Sequence, residues 1–221
     1  MHPSLPGGLP LILSLVARNR PRWALAVLGA LMIVPVMLAG TVAVPLAGLF
    51  EGPKTQLFMI AFAGSSLPEE LMRLAVLYFV GMRWLGIARP RDGLIFGLLV
   101  SLGFSCAENI YYAISIGWAT GVLKLAIATP IHLALGATMG CLLAAAAAEA
   151  PERRRPHILL ALAAPVLTHG VYDLTILTAL TNSGADAAPR LALPALCYAL
   201  VVAIAVLAAL RARHSGPATA A

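Results

Sequence analysis

Residues 56–82, QLFMIAFAGSSLPEELMRLAVLYFVGM, form the stretch on which the fold prediction rests. The run is long enough to cross a hydrocarbon core of about 30 Å as a helix that rises about 1.5 Å per residue. It nevertheless carries Glu69, Glu70 and Arg73 near its middle. Ionisable residues inside a membrane span are rare, and they mark a functional site by default. The stretch therefore predicts a membrane fold and also the position of its chemistry.

The composition of the whole chain agrees with a membrane protein. Of its 221 residues, 61% are hydrophobic and 11% are charged, whereas soluble domains are usually about 25% charged. The net charge of +6 could favour nucleic acid, but the basic residues lie in short clusters between apolar runs, which is typical of membrane anchoring. We therefore expect a lipid bilayer and no nucleic acid as the surroundings of the chain. The cysteines Cys106, Cys141 and Cys197 lie in apolar runs and are expected to be buried, without disulfides.

Six apolar runs predict an all-α bundle of six transmembrane helices. The runs cover about residues 23–49, 56–82, 93–117, 121–149, 157–180 and 190–210. Eleven basic residues lie in alternate connections, while the other connections hold only Lys54, Lys124 and Arg190. By the positive-inside rule both termini are cytoplasmic, and a single span more or less would break the alternation.

The chain is expected to have three parts. Residues 1–22 form a cytoplasmic or interfacial N-terminal segment, residues 23–213 form the six-helix transmembrane domain, and residues 214–221 form a disordered tail. The spacings Gly93-x-x-x-Gly97 and Gly136-x-x-x-Gly140 predict faces where two helices pack closely. Five prolines inside the runs are expected to kink helices and not to end them: Pro35, Pro45, Pro68, Pro130 and Pro165.

Charged or imidazole side chains occur within four of the six predicted spans. They are Glu69, Glu70, Arg73, Glu108, His132, His169 and Asp173. A charge at mid-membrane costs about 2.5–3.5 kcal/mol on insertion scales, so several such costs approach a whole protein's typical stability of about 5–15 kcal/mol. Helix rise places the groups in one layer, roughly 6 to 20 Å from the extracytoplasmic end. We therefore expect these side chains to meet and to stabilise one another.

The residue types in this layer predict a divalent metal ion. Four carboxylates against one arginine would leave a net charge of minus three in a medium of low dielectric constant, which favours a bound cation. Two imidazoles and a carboxylate, with an open position for water, are a familiar catalytic zinc set. His169 and Asp173 share one helix face, and Arg73 follows Glu69 and Glu70 by four and three residues. One glutamate is thus expected to be oriented by Arg73, while the other acts as a base.

Four motifs resemble those of the PrsW family of intramembrane metalloproteases, within the wider group of CAAX prenyl endopeptidases. They are Pro68-Glu69-Glu70-x-x-Arg73, Asp92-Gly93-x-x-Phe96-Gly97 followed by Gly103-Phe104-x-x-x-Glu108-Asn109, Pro130-x-His132, and His169-Gly170-x-Tyr172-Asp173. In the family the first motif more often ends in lysine, and the CAAX enzymes carry histidine at the position of Glu108. Lys124 and Thr129 stand where the family often has an arginine before the third motif. The resemblance covers about residues 64–175.

The resemblance implies an endopeptidase in a prokaryotic cell membrane that cuts membrane-associated proteins, in some bacteria an anti-sigma factor cleaved on the extracytoplasmic side. The expected ligands of the metal, zinc in particular, are Glu108, His132 and His169, with Asp173 as a further ligand or a partner of one. Glu69 or Glu70 is then expected to take a proton from the bound water and to return it to the leaving amine. Asn109 and Arg73 are candidates for stabilising the oxyanion.

Three alternatives remain open at the level of sequence. A proton- or ion-coupled transporter also uses intramembrane carboxylates and histidines, but it predicts such groups across the full membrane thickness, together with a repeat that the sequence lacks. A haem protein with His132 and His169 as axial ligands would leave four carboxylates without a role. A family member without proteolytic activity would bind membrane proteins through the same helices.

Overall fold

The computed structural model describes residues 23–181, and every regular element in this part of the chain is helical. The predicted N-terminal segment, the sixth span with Cys197, and the C-terminal tail lie outside the described residues. The helices are α1 (Trp23–Leu31), α2 (Ile33–Ala47), α3 (Pro53–Met59), the π-helix π1 (Ile60–Ser66), α4 (Leu67–Ala75), the π-helix π2 (Val76–Trp84), α5 (Pro90–Ser115), α6 (Trp118–Ala148) and α7 (Pro151–Thr181).

Four helical stretches among the described residues are long and apolar enough to cross a membrane. They are Trp23–Ala47, Pro90–Ser115, Trp118–Ala148 and Glu152–Ala179, and they coincide with the first, third, fourth and fifth predicted spans. The predicted second span is a run of four consecutive segments, from α3 to π2, in which α- and π-helix alternate. An all-helical membrane fold is therefore confirmed.

The two π-helices flank the segment that carries the paired glutamates. A π-helix has i→i+5 hydrogen bonds, is rare, and occurs often at functional sites. Pro68 lies in the first turn of α4, directly after π1, and it has no N–H to donate to the preceding helical turn. The other four prolines singled out in the sequence also lie inside helices that continue past them, so none of the five ends a helix, as predicted.

Close packing of α5 against α6 confirms the role predicted for the glycine spacings. A Cβ atom on Gly97 would clash with the carbonyl oxygen of Gly136, and a Cβ atom on Gly93 would clash with that of Gly140. Helix α1 packs on the same helix α5, where a side chain on Gly103 would meet the carbonyl oxygen of Ala26. These contacts bring the backbones of three helices close enough for short polar side chains to reach across.

The outward surfaces of the spans are apolar, and the charged groups near the middle of the predicted spans lie inside, as expected for a chain surrounded by lipid. Large apolar residues such as Leu38, Ile114 and Trp118 are exposed, whereas Arg73 is completely buried. Cys106 is also exposed and Cys141 is partly buried. The expectation that Cys106 is buried is therefore wrong, because an apolar residue in a membrane helix can face lipid as readily as protein.

Substitution of Gly97 by alanine should weaken this packing. The added methyl group would force α5 and α6 apart, and we expect the free energy of unfolding in detergent to fall by about 1–3 kcal/mol. Gly40→Ala is the matched control, since the nearest atom to a Cβ there, the carbonyl oxygen of Gly64, is 3.7 Å away. Equal stability of the two variants would contradict the proposed packing.

Candidate active site

The ionisable side chains of the predicted layer meet in one buried network. Glu69, Glu70, Arg73, Glu108, His132 and His169 are buried, and Asp173 is partly buried. The segment α4 supplies the first three, and α5, α6 and α7 supply the others. Four separate stretches of sequence therefore contribute to a single cluster.

Glu70 forms the interior ion pair of the cluster. It is bonded to Arg73 Nη1, one turn later on the same helix, and both side chains are fully buried. The same oxygen, Oε1, lies 2.9 Å from His169 Nδ1. Arg73 therefore orients Glu70. Glu69 points about 100° away around the helix and is the glutamate that Arg73 does not orient.

The ring of His132 is held in one tautomer by its two neighbours. Arg73 Nη2 lies 3.1 Å from His132 Nδ1, and because a guanidinium only donates hydrogen bonds, Nδ1 is the acceptor. His132 Nε2 then carries the proton and donates it to Glu108 Oε2 at 3.1 Å. The lone pair on Nδ1 is thus occupied by Arg73, and Glu69 Oε2 lies 3.9 Å from the same nitrogen.

His169 is oriented in the same manner. Its Nδ1 donates to the Glu70 carboxylate, and in the neutral ring its Nε2 retains a lone pair. That nitrogen lies 3.8 Å from Glu69 Oε2 and 3.5 Å from Asp173 Oδ2. The rings of His132 and His169 stand edge to face with centroids 5.1 Å apart.

Glu69 is the centre of this arrangement. Its Oε1 lies 3.1 Å from Ser65 Oγ, which has one hydrogen to share between Glu69 and Asp173. Its buried Oε2 has no hydrogen-bond partner. A buried carboxylate oxygen without a partner is costly. Glu69, His132 and His169 offer ligand atoms that all lie within 4.8 Å of one another. The observed donor set is thus two imidazoles and a carboxylate.

The surroundings of these three residues fit a divalent metal ion. In each histidine, the nitrogen that faces away from Glu69 contacts a carboxylate, Glu108 in the case of His132 and Glu70 in the case of His169. Carboxylates in this position orient the imidazole ligands of metal sites. Within the described network, four carboxylates face two cations, Arg73 and Lys124, so a divalent cation would bring the formal charge to zero. Binding would require the hydrogen bond from Arg73 to His132 Nδ1 to break.

Asp173 lies at the accessible edge of the cluster. Its side chain is 21% exposed, and its Oδ2 accepts a hydrogen bond of 2.6 Å from Ser65. The same hydroxyl contacts Glu69 Oε1. Ser65 therefore links the buried carboxylate of Glu69 to the more exposed one of Asp173.

Three polar residues of the site were missed in the sequence. Lys124, counted there as a residue of a connection, lies in α6 and donates to Glu108 Oε1 at 2.9 Å. Ser65 precedes Glu69 by four residues, a spacing that places both on one helix face. Thr129 accepts a hydrogen bond of 2.9 Å from Asn109. The detectable signals were a lysine inside an apolar run and a serine one turn before a glutamate.

The residues proposed to stabilise the oxyanion are both engaged in the structure. Arg73 is bonded to Glu70 and His132. Asn109 donates to Thr129 Oγ1, which in turn is 2.8 Å from Ser105 Oγ, while Asn109 Oδ1 is buried without a partner. Each of the two side chains thus has a structural contact in addition to any role in catalysis.

Loss of Arg73 should destabilise the whole chain. Arg73→Met leaves the buried Glu70 unpaired, and we expect the free energy of unfolding in detergent to fall by about 3–5 kcal/mol. Glu70→Leu added to Arg73→Met should recover part of that loss, because no unpaired charge remains. Arg83→Met, at an exposed arginine in the following helix π2, is the control. An equal effect of Arg73→Met and Arg83→Met would contradict this account.

Comparison with known proteins shows the family of the chain. The model of the PrsW family of intramembrane metalloproteases matches residues 20–210. A protein named Protease PrsW from Halalkalibacterium halodurans is 33% identical over 150 residues, which cover 68% of this chain and 67% of that protein. Another of that name from Bacillus subtilis is 34% identical over 125 residues, 57% of each chain. No solved structure matches the chain. The chain belongs to the PrsW family of intramembrane metalloproteases, and it is a protease of the multi-pass cell-membrane class.

Proposed function

We propose that this protease is a metal-dependent endopeptidase whose hydrolytic centre is built around Glu69. The observation that carries the proposal is the buried, unpartnered Oε2 of Glu69, which lies 3.9 and 3.8 Å from the acceptor nitrogens of His132 and His169. A carboxylate oxygen and two imidazole nitrogens so close together favour a cation, which would take the place of Arg73 at His132 Nδ1.

Glu69, His132 and His169 would hold the metal, and zinc is the ion that this donor set favours. When bound, the metal polarises the scissile carbonyl and lowers the pKa of a water molecule towards about 7. This assignment differs from the one expected from sequence, in which Glu108 was a ligand. Glu108 lies on the far nitrogen of His132, so we assign it the task of orienting that ring.

Asp173 is the residue that we assign to proton transfer. Its carboxylate is 3.5 Å from His169 Nε2 and is partly exposed, whereas both histidines are buried. It accepts a proton from the attacking water and returns it to the leaving amine. Ser65 holds the reacting oxygen of Asp173 by a hydrogen bond.

Elemental analysis and cleavage of a membrane-anchored single-span reporter protein test these roles together. Wild-type protein should contain one divalent metal ion and should lose cleavage on exhaustive chelation. His132→Ala and His169→Ala should lose both the metal and cleavage, because each removes a ligand. Asp173→Asn should retain the metal and reduce cleavage by about 10²–10⁴-fold, as expected for loss of a general base. His157→Ala, outside the cluster, is the control.

Glu69→Gln distinguishes between two roles for Glu69, metal ligand and proton acceptor. Loss of the metal together with cleavage supports Glu69 as a ligand. Loss of cleavage with the metal retained would make Glu69 the proton acceptor, as the sequence hypothesis allowed, and would return the ligand role to Glu108 or Asp173. Full cleavage by the chelated wild-type protein would contradict metal dependence itself.

We further propose the topology of six spans with both termini cytoplasmic, in which residues 23–213 form the protease domain and residues 1–22 and 214–221 flank it. The basic clusters at residues 83–91 and 153–155 lie at connections on one side, and Lys124 lies near the start of α6 on the other. Contact of Lys124 with Glu108 supports a site nearer the extracytoplasmic face.

Labelling of introduced cysteines tests this orientation. Ala88 and Ala119 are both exposed alanines, one before α5 and one at the start of α6. In intact spheroplasts a membrane-impermeant maleimide should label Ala119→Cys but should label Ala88→Cys only after permeabilisation. Wild-type protein, with its native cysteines, provides the background, and the reverse pattern would contradict the topology.

The substrate class follows from the family and from the depth of the site. We propose a membrane-anchored protein cut near the extracytoplasmic side of the bilayer, an anti-sigma factor being the substrate that the family resemblance implies. A transporter would need ionisable groups across the full membrane thickness, whereas the described ones belong to a single contact network. A member without activity would fail to cut the reporter although it retained the metal.

A further inference from the structure

Lys124 makes contacts that neither metal binding nor proton transfer explains. It lies in the second turn of α6, and its Nζ is 2.9 Å from Glu108 Oε1. The same nitrogen lies 4.1 Å from the centroid of the Tyr112 ring, within the range of a cation–π contact. Its side chain is only 24% exposed, although a lysine near a helix end can extend to water at low cost. It turns inwards instead.

The contact with Lys124 fixes the position of the Glu108 carboxylate. An ammonium group only donates hydrogen bonds, so Oε1 of Glu108 is occupied as an acceptor. The other oxygen, Oε2, is thereby left facing His132 Nε2 at 3.1 Å. Two hydrogen bonds consequently link α6 to α5, one from Lys124 and one from His132, and both end on the Glu108 carboxylate.

We propose that Lys124 is a positioning residue that holds the Glu108 carboxylate on His132 Nε2 and thereby fixes the orientation of the ring whose Nδ1 faces Glu69. The inference rests on the proposed function, because that nitrogen is the one assigned to the metal. Without the ammonium group, the Glu108 carboxylate is free to rotate away from Nε2. The ring then keeps its contact with Arg73 at Nδ1 but loses the partner that orients it at Nε2.

Two lysine substitutions and a control test the role of Lys124. The chain has two lysines, Lys54 and Lys124; Lys54 is exposed near the start of α3. Lys124→Met keeps the length of the side chain but removes its charge, whereas Lys124→Arg keeps the charge. Lys54→Met is the matched control.

The first readout is the hydrogen bond from His132 Nε2–H to Glu108, measured by the ¹H shift and exchange rate of that proton in ¹⁵N-histidine-labelled, metal-free protein, with His132→Ala to assign the signal. Wild-type, Lys54→Met and Lys124→Arg proteins should show a downfield, slowly exchanging Nε2–H proton. In Lys124→Met the signal should move upfield or exchange faster. An unchanged signal in Lys124→Met would overturn the inference.

The second readout is zinc affinity, followed by kinetics on the reporter substrate. Loss of an outer partner of a metal ligand typically lowers affinity or activity by about 10–100-fold. We expect about a tenfold loss of zinc affinity and of kcat in Lys124→Met, with KM unchanged and with rescue by Lys124→Arg. Unchanged zinc affinity would overturn the inference, as would a loss that Lys54→Met shares.

The outcomes separate this inference from the proposed function. Wild-type protein that binds no metal would overturn the proposed metal centre, while the measurement of the His132 Nε2–H proton would still test Lys124. If Lys124→Met fails to fold, ¹³C-lysine labelling of wild-type protein supplies the test. The ring of Tyr112 should shift one of the two Cε signals upfield, and two signals at ordinary solvent-exposed positions would overturn the inference.

Discussion

The buried ion pair between Glu70 and Arg73 is the interaction on which the rest of the site depends. Both side chains are fully removed from solvent, and neither could remain charged there without the other. The pair also has contacts on either side, since Glu70 reaches His169 and Arg73 reaches His132. The orientation of both imidazoles therefore depends on the Glu70–Arg73 ion pair. The same pair stabilises the helix in the interior and positions the two histidines.

Helix packing supplies the distances that this network requires. Close approach of α5 and α6 through their glycines allows Glu108 on one helix to bond His132 on the other. On the opposite side, the π-helix before α4 holds Ser65 within reach of both Glu69 and Asp173. Since π-turns change the rotation of the helix that follows, they contribute to deciding which glutamate faces the histidines.

The membrane fold and the existence of the site could be predicted from the sequence because both follow from the free-energy cost of placing charged groups in lipid. Charges such as Glu108 and Arg73 in apolar runs must be paired, and pairing requires that the spans meet. The allocation of partners could not be predicted in the same way. Which of Glu69 and Glu70 binds Arg73 depends on helix rotation, and hydropathy does not report it. Lys124 was missed because a lysine near the end of a run looks like part of a connection, and only the contact with Glu108 reveals its inward direction.

Exposure differs between the members of the network. The side chains of Glu69, Glu70, Glu108, His132 and His169 are each exposed by 5% or less. Asp173 and Lys124, in contrast, retain 21% and 24%. Because Lys124 can only donate, Asp173 is the acceptor of these two partly exposed groups. Hydrolysis consumes a water molecule, and in the proposed mechanism its proton passes to Asp173 at the edge of the network. The proposed ligands can then remain buried, because none of them has to take up that proton.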